Sequence, residues 1–299
     1  MPTRQHTTPI KTWAAAVFAH NEARRIRTCL DSLLQGQSAT PGRVTVLING
    51  STDGTAAIVR SIAADHPCIE LVLLNQGDKA AAWNHYVHER AIAADMHLFI
   101  DGDVLAEPGS VPAISQTFGQ HPEAVAVAAL PASGRDRAGW SQRMRDHGRL
   151  AGGLYALRGD WLDEIRSEYL HLPHGLIGED LFLSCLAKSM PHPGGMYQPS
   201  PRLVIADTAT FAFESLSLAR PEDWWKYLKR LVRYRLRDHQ LALLLQRLAQ
   251  EPHRGIPHDV ATLYRESTAL PDYYWRGLQT PFDMLAVYRM KRIAQKRQQ

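Results

Sequence analysis

Apolar and polar positions alternate in blocks along the first hundred residues. Lys11–Phe18 (KTWAAAVF), Arg43–Ile48 (RVTVLI), Ile69–Leu74 and His97–Ile100 are short apolar runs of strand length. Between them Ile26, Leu30, Leu33 and Leu34 recur at helical spacing up to a stop near Gly36. Ile58 and Ile62 share a second helical face, and Lys79–Ala94 reads as an alanine-rich helix. Strand and helix joined by short turns predict a parallel sheet with helices on both faces. In such sheets ligands bind beyond the carboxyl ends of the strands. Four polar turns, around His20, Asn49, Gln76 and Asp101, fall on that edge and are expected to meet.

Beyond Asp103 the pattern loosens. Pro108–Phe118 reads as a helix and Ala124–Leu130 as a strand, while Ala132–Arg149, charged and glycine-containing, predicts a mobile loop. Gly152–Leu157 (GGLYAL) is strand-like, with Arg158 just past it. His171–Gly178 is a loop delivering Glu179-Asp180 to an apolar helix, Leu181–Lys188, and Arg202–Ala206 and Thr208–Phe213 predict two more strands. From Pro221 onward Trp225, Leu228, Val232 and Leu236 form an apolar stripe opposite Lys226, Lys229, Arg230, Arg233 and Arg237.

Composition narrows the class. Of 299 residues 45% are hydrophobic and 21% charged, ordinary for a globular α/β protein. The net charge of +4 does not indicate nucleic-acid binding. Cys29, Cys68 and Cys185 lack metal-ligand spacing and read as small buried hydrophobes of a reducing compartment. Met1–Lys11 lacks the apolar core of a signal peptide, and no run reaches the length of a membrane span, which predicts a cytoplasmic protein.

The chemistry concentrates in His97–Asp103 (HLFIDGD), a strand ending in two carboxylates one residue apart. Gly102 lets the chain bend so that Asp101 and Asp103 can face one point, and paired hard oxygens there suit Mg²⁺ or Mn²⁺. A solvated turn explains the same tripeptide. Glu179-Asp180 is likewise what simple capping selects in a first helical turn.

Several ordered motifs together resemble a family 2 glycosyltransferase: AVFAHNE (Ala16–Glu22), NGSTDGT (Asn49–Thr55), GDKAAAWN (Gly77–Asn84), DGD (Asp101–Asp103), GGLYALR (Gly152–Arg158) and GED (Gly178–Asp180). The likeness spans Trp13 to Arg235. It implies an α/β fold of GT-A type, a Rossmann-like mostly parallel sheet with helices on both faces, followed by a C-terminal helical region. The implied division is a catalytic domain over 1–215 and a basic helical region over 216–299 that completes the site. The resemblance implies an inverting transfer of one sugar from a nucleotide-diphosphate sugar, UDP- first, to a hydroxyl of a glycan or lipid-linked glycan. The setting it implies is cell-envelope polysaccharide synthesis.

By the same resemblance Ala16, Phe18, Glu22, Asn49 and Asp53 hold base and ribose, and Lys79 meets ribose or diphosphate, although a surface lysine explains it equally. Asp101 faces the ribose or the metal, Asp103 ligates Mg²⁺ or Mn²⁺, and Arg230 and Arg233 clamp phosphates or form a solvated basic face. Asp180 is the implied general base, Glu179 positions acceptor or loop, and Tyr155 and Arg158 lie on the acceptor side. Two departures stand out. Asp207–Ser215 lacks the histidine that many relatives use as a further ligand, leaving Asp207, Glu214 or water, and the Gln-x-x-Arg-Trp string of processive synthases is missing. His171, His174, His192 and His239 read as surface or loop histidines.

Trp224-Trp225, the cationic helix and the acid-free tail from Met284 to Gln299 suggest peripheral contact with an anionic membrane, against a core tryptophan pair and a solvated helix. Two other classes share these features. One is an inactive sugar-nucleotide-binding module, and the other a phosphohydrolase of the haloacid dehalogenase type, which normally carries Asp-x-Asp on its first strand.

Overall fold

A computed structural model describes residues 10–34, 41–215, 221–252, 255–267, 269–273, 275 and 277–295. The expected stop at Gly36 lies outside them. Strands β1 (Trp13–Ala19), β2 (Arg43–Asn49), β3 (Ile69–Leu74) and β4 (Met96–Asp101) alternate with helices α1 (Ile26–Leu34), α2 (Thr55–Asp65) and α3 (Lys79–His85). These four strands pair in parallel in the order β3-β2-β1-β4, as the apolar blocks predict. Beyond β4 the sheet changes direction. The short β5 (Val104–Ala106) and helix α4 (Ser110–Gln120) lead to β6 (Ala126–Pro131), helix α5 (Arg137–His147), β7 (Leu154–Arg158), helix α6 (Gly159–Ser167), helix α7 (Glu179–Ala187) and β8 (Leu203–Phe213). Strand β7 runs antiparallel between β4 and β6, and the full order is β3-β2-β1-β4-β7-β6-β8-β5.

Several expected boundaries move, each for a local reason. The third helix stops at Arg90 after a π-wound turn, Tyr86–Arg90, instead of running to Ala94. Arg166 holds that end by donating to the carbonyls of Val87 (2.6 Å) and Ala91 (2.7 Å), groups a continuing helix would have used itself. Residues 132–149 are not a loop throughout. They contain α5, seated by Met144 and Ser141 and closed by Gly148 in the left-handed region. The two expected last strands are one, β8, with an irregularity opposite Ala129/Leu130. Cys68 is half-buried, unlike Cys29 and Cys185.

The core is built around Phe99 in the middle of β4. Tyr155 stacks on it at 4.9 Å, Trp83 and Phe18 lie nearly parallel at 6.1 and 6.3 Å, and Tyr86 meets it edge-on at 5.6 Å. Four aromatic side chains therefore converge on one ring.

The chain ends in helices α8 (Pro221–Gln250), α9 (Val260–Glu266) and α10 (Thr280–Gln295), which pack on one another. Among the described residues no helix is long and apolar enough to cross a membrane. The apolar stripe of α8 is divided: Val232 and Leu236 are buried, while Trp225 is 64% exposed and Leu228 41%. Trp224 is exposed as well, so the tryptophans are not a core pair.

Phe99→Ala is expected to destabilise the protein by about 3–5 kcal/mol. Urea unfolding checks this, and a loss below about 1 kcal/mol contradicts the central place given to the ring.

Candidate active site

The carboxyl ends of β1, β2 and β4 are stitched into one rim. After β1, Nδ1 of His20 lies 2.6 Å from the carbonyl of Asn49, and Oδ1 of Asn21 accepts the Thr52 N–H at 2.8 Å. The Glu22 N–H donates to the Thr55 hydroxyl. Glycine is needed where the turns close on one another. Gly50 has φ +66°, and a Cβ there would stand 2.6 Å from the Gly77 nitrogen. Gly102 donates to the Phe18 carbonyl at 2.8 Å, and a Cβ on it would meet that of Ala19 at 2.9 Å. The turns around His20, Asn49, Gln76 and Asp101 thus form one edge.

Helix α3 carries the next layer. Its first residue, Lys79, places its ammonium 2.6 Å from Oδ1 of Asp101 and 2.7 Å from Oε1 of Glu179. Asp78 caps α3 through the Ala81 N–H and, with its other oxygen, accepts the Gly175 N–H at 2.8 Å. The buried amide of Asn84 bonds both the N–H and the carbonyl of Leu172, each at 2.8 Å. These contacts fix the loop that leads into α7. Gly178, in the left-handed region, precedes that helix, whose first turn holds Glu179 and Asp180. Oδ2 of Asp180 accepts the Gly152 N–H at 2.9 Å, at the start of β7, and the Asp101 N–H donates to Gly153 alongside. The Asp-Gly-Asp turn and the Glu-Asp pair, 78 residues apart in the chain by number (101 to 179), therefore share one ammonium.

The electrostatics follow from crowding. Burial works against the Lys79 ammonium, but Asp101 and Glu179 outweigh it and hold its pKa well above the ordinary value. Burial pushes the Asp101 carboxyl up, and the charges of Asp103 and Glu179 add to this despite Lys79. Asp180 is raised by burial and then by Glu179, while Lys79 and Arg237 pull the other way. Glu22 reaches about 7, chiefly through burial and the Asp103 charge, with Arg25 opposing and Asp101 adding.

The remaining expected site residues divide. Asn49 closes β2 with its Oδ1 buried and unpaired, and Glu22 faces the Asp101–Asp103 carboxylates. Asp53 is occupied by the chain: it accepts from Ala23 and Thr55 and ties the β1 turn to α2. Ala16 is fully buried in mid-strand between β2 and β4, and the Phe18 carbonyl is taken by Gly102, so neither offers a free edge. Tyr155 is wholly buried under the site, stacked on Phe99, and does not reach an acceptor surface. Arg158 pairs with Met96 at the opposite end of the sheet, where it donates to Ala124 and Phe118, so its role is structural. A strand-end arginine and a site arginine look alike until the direction of β7 is known.

Arg230 and Arg233 are exposed on α8 and make no contact with Asp101 or Asp103 among the described residues. The arginine of this helix that reaches the site is Arg237, whose Cγ and Cδ cover Gly178, and Gln240 accepts the Ile177 N–H at 2.8 Å. Arg237 stands in the same cationic stripe as the other two, and no local signal separates them. Arg25 was also hidden: it bridges Glu22 (3.3 Å) and Glu214 (2.6 Å). Of the histidines, His171 stacks on His88, His174 lies by His258, and His239 is not a surface residue but is buried 3.0 Å from Asp283.

Among the described residues no set of three His, Cys, Asp or Glu side chains is gathered for a metal. The donor set nevertheless fits a hard divalent cation that keeps water and substrate ligands. Asp103 has no side-chain ion pair among the described residues, and the β5–β8 register, Val104 opposite Phe213, sets Glu214 across from Asp103. Asp207, the other candidate, is turned to Arg145 at 2.8 Å.

Residues 15–175 match the Glycosyl transferase family 2 family. The chain belongs to this family and is a glycosyltransferase, which removes the phosphohydrolase reading. Solved structures give the same fold. A mannosyltransferase from Pyrobaculum calidifontis, in complex with GDP-Man and Mn²⁺, aligns at TM-score 0.55 and 20% identity over 97% of this chain and 78% of its own. TarS 1–349 of S. aureus aligns at 0.53 and 16% over 95% and 90%. Glucosyl-3-phosphoglycerate synthase of Mycobacterium tuberculosis, with Mn²⁺, UDP-glucose and phosphoglyceric acid, aligns at 0.51 and 21% over 82% and 80%. No curated protein matches the chain in sequence.

Lys79→Met is expected to destabilise the protein by about 3 kcal/mol, the low end for a broken buried pair because Asp101 is 34% exposed. Lys79→Met with Glu179→Gln recovers part of this in chemical denaturation, and additive losses contradict the bridge. Glu22 binds its proton more tightly folded than unfolded, so wild-type stability falls as pH rises from about 4.5 to about 7. Glu22→Gln removes that fall, so the stability difference from wild type shifts in the variant's favour between about pH 4 and pH 8. A pH-independent difference refutes the assignment.

Proposed function

We propose that the protein is an inverting glycosyltransferase that moves one sugar from a nucleotide-diphosphate sugar, UDP- first, to an acceptor hydroxyl of a glycan or lipid-linked glycan. The observation that carries this reading is the Lys79 bridge, which brings the Asp-Gly-Asp turn and the Asp180 helix to one rim. Residues 1–215 supply the catalytic domain and 216–299 complete it, a reading supported by Arg237 and Gln240 against the loop before α7. The solved neighbours with GDP-Man and Mn²⁺ and with UDP-glucose and Mn²⁺ support a nucleotide-sugar donor with a divalent cation.

On the donor side the Asn49 amide oxygen, buried and unpaired in this structure, would accept the N3–H of a uracil once the side chain turns outward. Asp103, with Asp101, would hold Mg²⁺ or Mn²⁺, and Glu214, across from Asp103 in the register but paired with Arg25 here, would have to leave Arg25 to join them; the ion when bound supplies Lewis-acid neutralisation of the leaving diphosphate. On the acceptor side Asp180 is the base. Its Oδ2 is engaged by Gly152, leaving Oδ1 to take the hydroxyl proton as the oxygen attacks the anomeric carbon opposite the departing diphosphate. Its raised pKa improves it as a base near neutrality. Glu179 does not touch acceptor. It anchors Lys79 and so positions Asp180. The setting that fits is the cytoplasm, at the inner face of the membrane for a lipid-linked acceptor, in envelope polysaccharide synthesis.

A panel of UDP-, GDP- and dTDP-sugars with Mn²⁺ tests the reading through slow donor hydrolysis. Nucleotide release from none of them, with no affinity for nucleotide, overturns it. Asp180→Asn is expected to lower transfer ~10²–10⁴-fold while leaving nucleotide affinity within about twofold. Unchanged turnover removes Asp180 from the role.

A further inference from the structure

Four cationic residues of α8 lie along a line that leads to the turn carrying Asp180. Lys226, Arg230, Arg233 and Arg237 are spaced four, three and four residues apart, which puts them on one face of the helix. At a rise of 1.5 Å per residue the row is about 16 Å long. Its inner end is fixed by the aliphatic part of Arg237 over Gly178, at the turn that carries Asp180. Its outer members, Lys226, Arg230 and Arg233, are exposed. Tyr234 stands between two of the guanidinium groups, 5.7 Å from Arg230 and 5.0 Å from Arg237, and holds them on the same side.

Such a row is unfavourable in isolation, because like charges three and four residues apart repel. Neutralisation is confined to the two ends: Lys226 meets Asp223 at 3.1 Å and Arg237 meets Asp238 at 3.1 Å. Arg230 and Arg233 have no carboxylate partner among the described residues, and no acid occurs between Asp223 and Asp238. A regularly spaced ligand of opposite charge, entering from solvent towards Asp180, would relieve this repulsion. Guanidinium groups in series match phosphate oxygens in geometry and charge.

We propose that this face of α8 binds phosphate groups of the acceptor, so that the acceptor is a phosphate-bearing molecule drawn along the row until a hydroxyl reaches Asp180. The proposal rests on the reading of Asp180 as the base, but the binding it describes does not require catalysis. It also assigns Arg230 and Arg233 to the acceptor and not to the donor diphosphate.

The test uses the full chain and three probes: short inorganic polyphosphate, phosphatidylcholine vesicles containing phosphatidylglycerol, and UDP with Mn²⁺. The variant is Arg230→Glu with Arg233→Glu, both exposed, with Arg230→Lys and Arg233→Lys as the charge-conserving control. Wild type is expected to bind polyphosphate with an affinity that falls with salt, and the double Glu variant at least ~10-fold more weakly. The Lys control retains most of the binding, and UDP–Mn²⁺ affinity stays within about twofold in every variant. Binding of the vesicles without binding of polyphosphate overturns the proposal and assigns the row to a membrane surface. It is overturned equally if polyphosphate does not bind, if the double Glu variant binds it as wild type does, or if UDP–Mn²⁺ is weakened to the same extent. These titrations stand even if Asp180→Asn retains full turnover, so the two readings fail separately.

Discussion

One ammonium, that of Lys79, holds two carboxylates that come from distant parts of the chain and from opposite sides of the proposed reaction. Asp101 ends β4 at the rim proposed to face the donor, and Glu179 opens the helix that presents Asp180. Three ionised groups in a poorly solvated place are stable only as a set, because each alone carries a large desolvation cost. The distance between the donor rim and Asp180 is therefore set by a charge requirement as well as by packing.

Helix α3 acts as a bracket around this contact. Lys79 joins the two carboxylates, Asp78 and Asn84 fasten the loop before α7, and Trp83 packs against Phe99 beneath them. The polar contacts act on the same segment that the aromatic cluster buries, so the loop carrying Asp180 is fixed from the side and from below. The π-wound end of the helix, closed by Arg166, lets the chain turn back into β4 without leaving its carbonyls unpaired.

The C-terminal helices matter to the site because α8 rests on the loop that α3 secures. Gln240 reads the backbone of that loop and Arg237 covers Gly178, so the approach to Asp180 is framed by cations. The result is a division of charge: carboxylates gather around Asp103, and guanidinium groups of α8 lead to the turn that carries Asp180.

The parallel half of the sheet was legible in the sequence because alternation of apolar blocks and polar turns is a local property. The motif order also located Asp101, Asp103, Lys79, Glu179 and Asp180 and assigned the family. The direction of β7 was not legible, and it sends Tyr155 beneath the site and Arg158 to the far end of the sheet. Helix α5 was missed because its apolar contacts come from β8, far along the chain, and not from a stripe of its own. Which arginine of α8 meets Gly178, and that Lys79 bridges two carboxylates, depend on long-range placement. Local periodicity specifies what a residue can do, and only the packing of remote elements specifies what it faces.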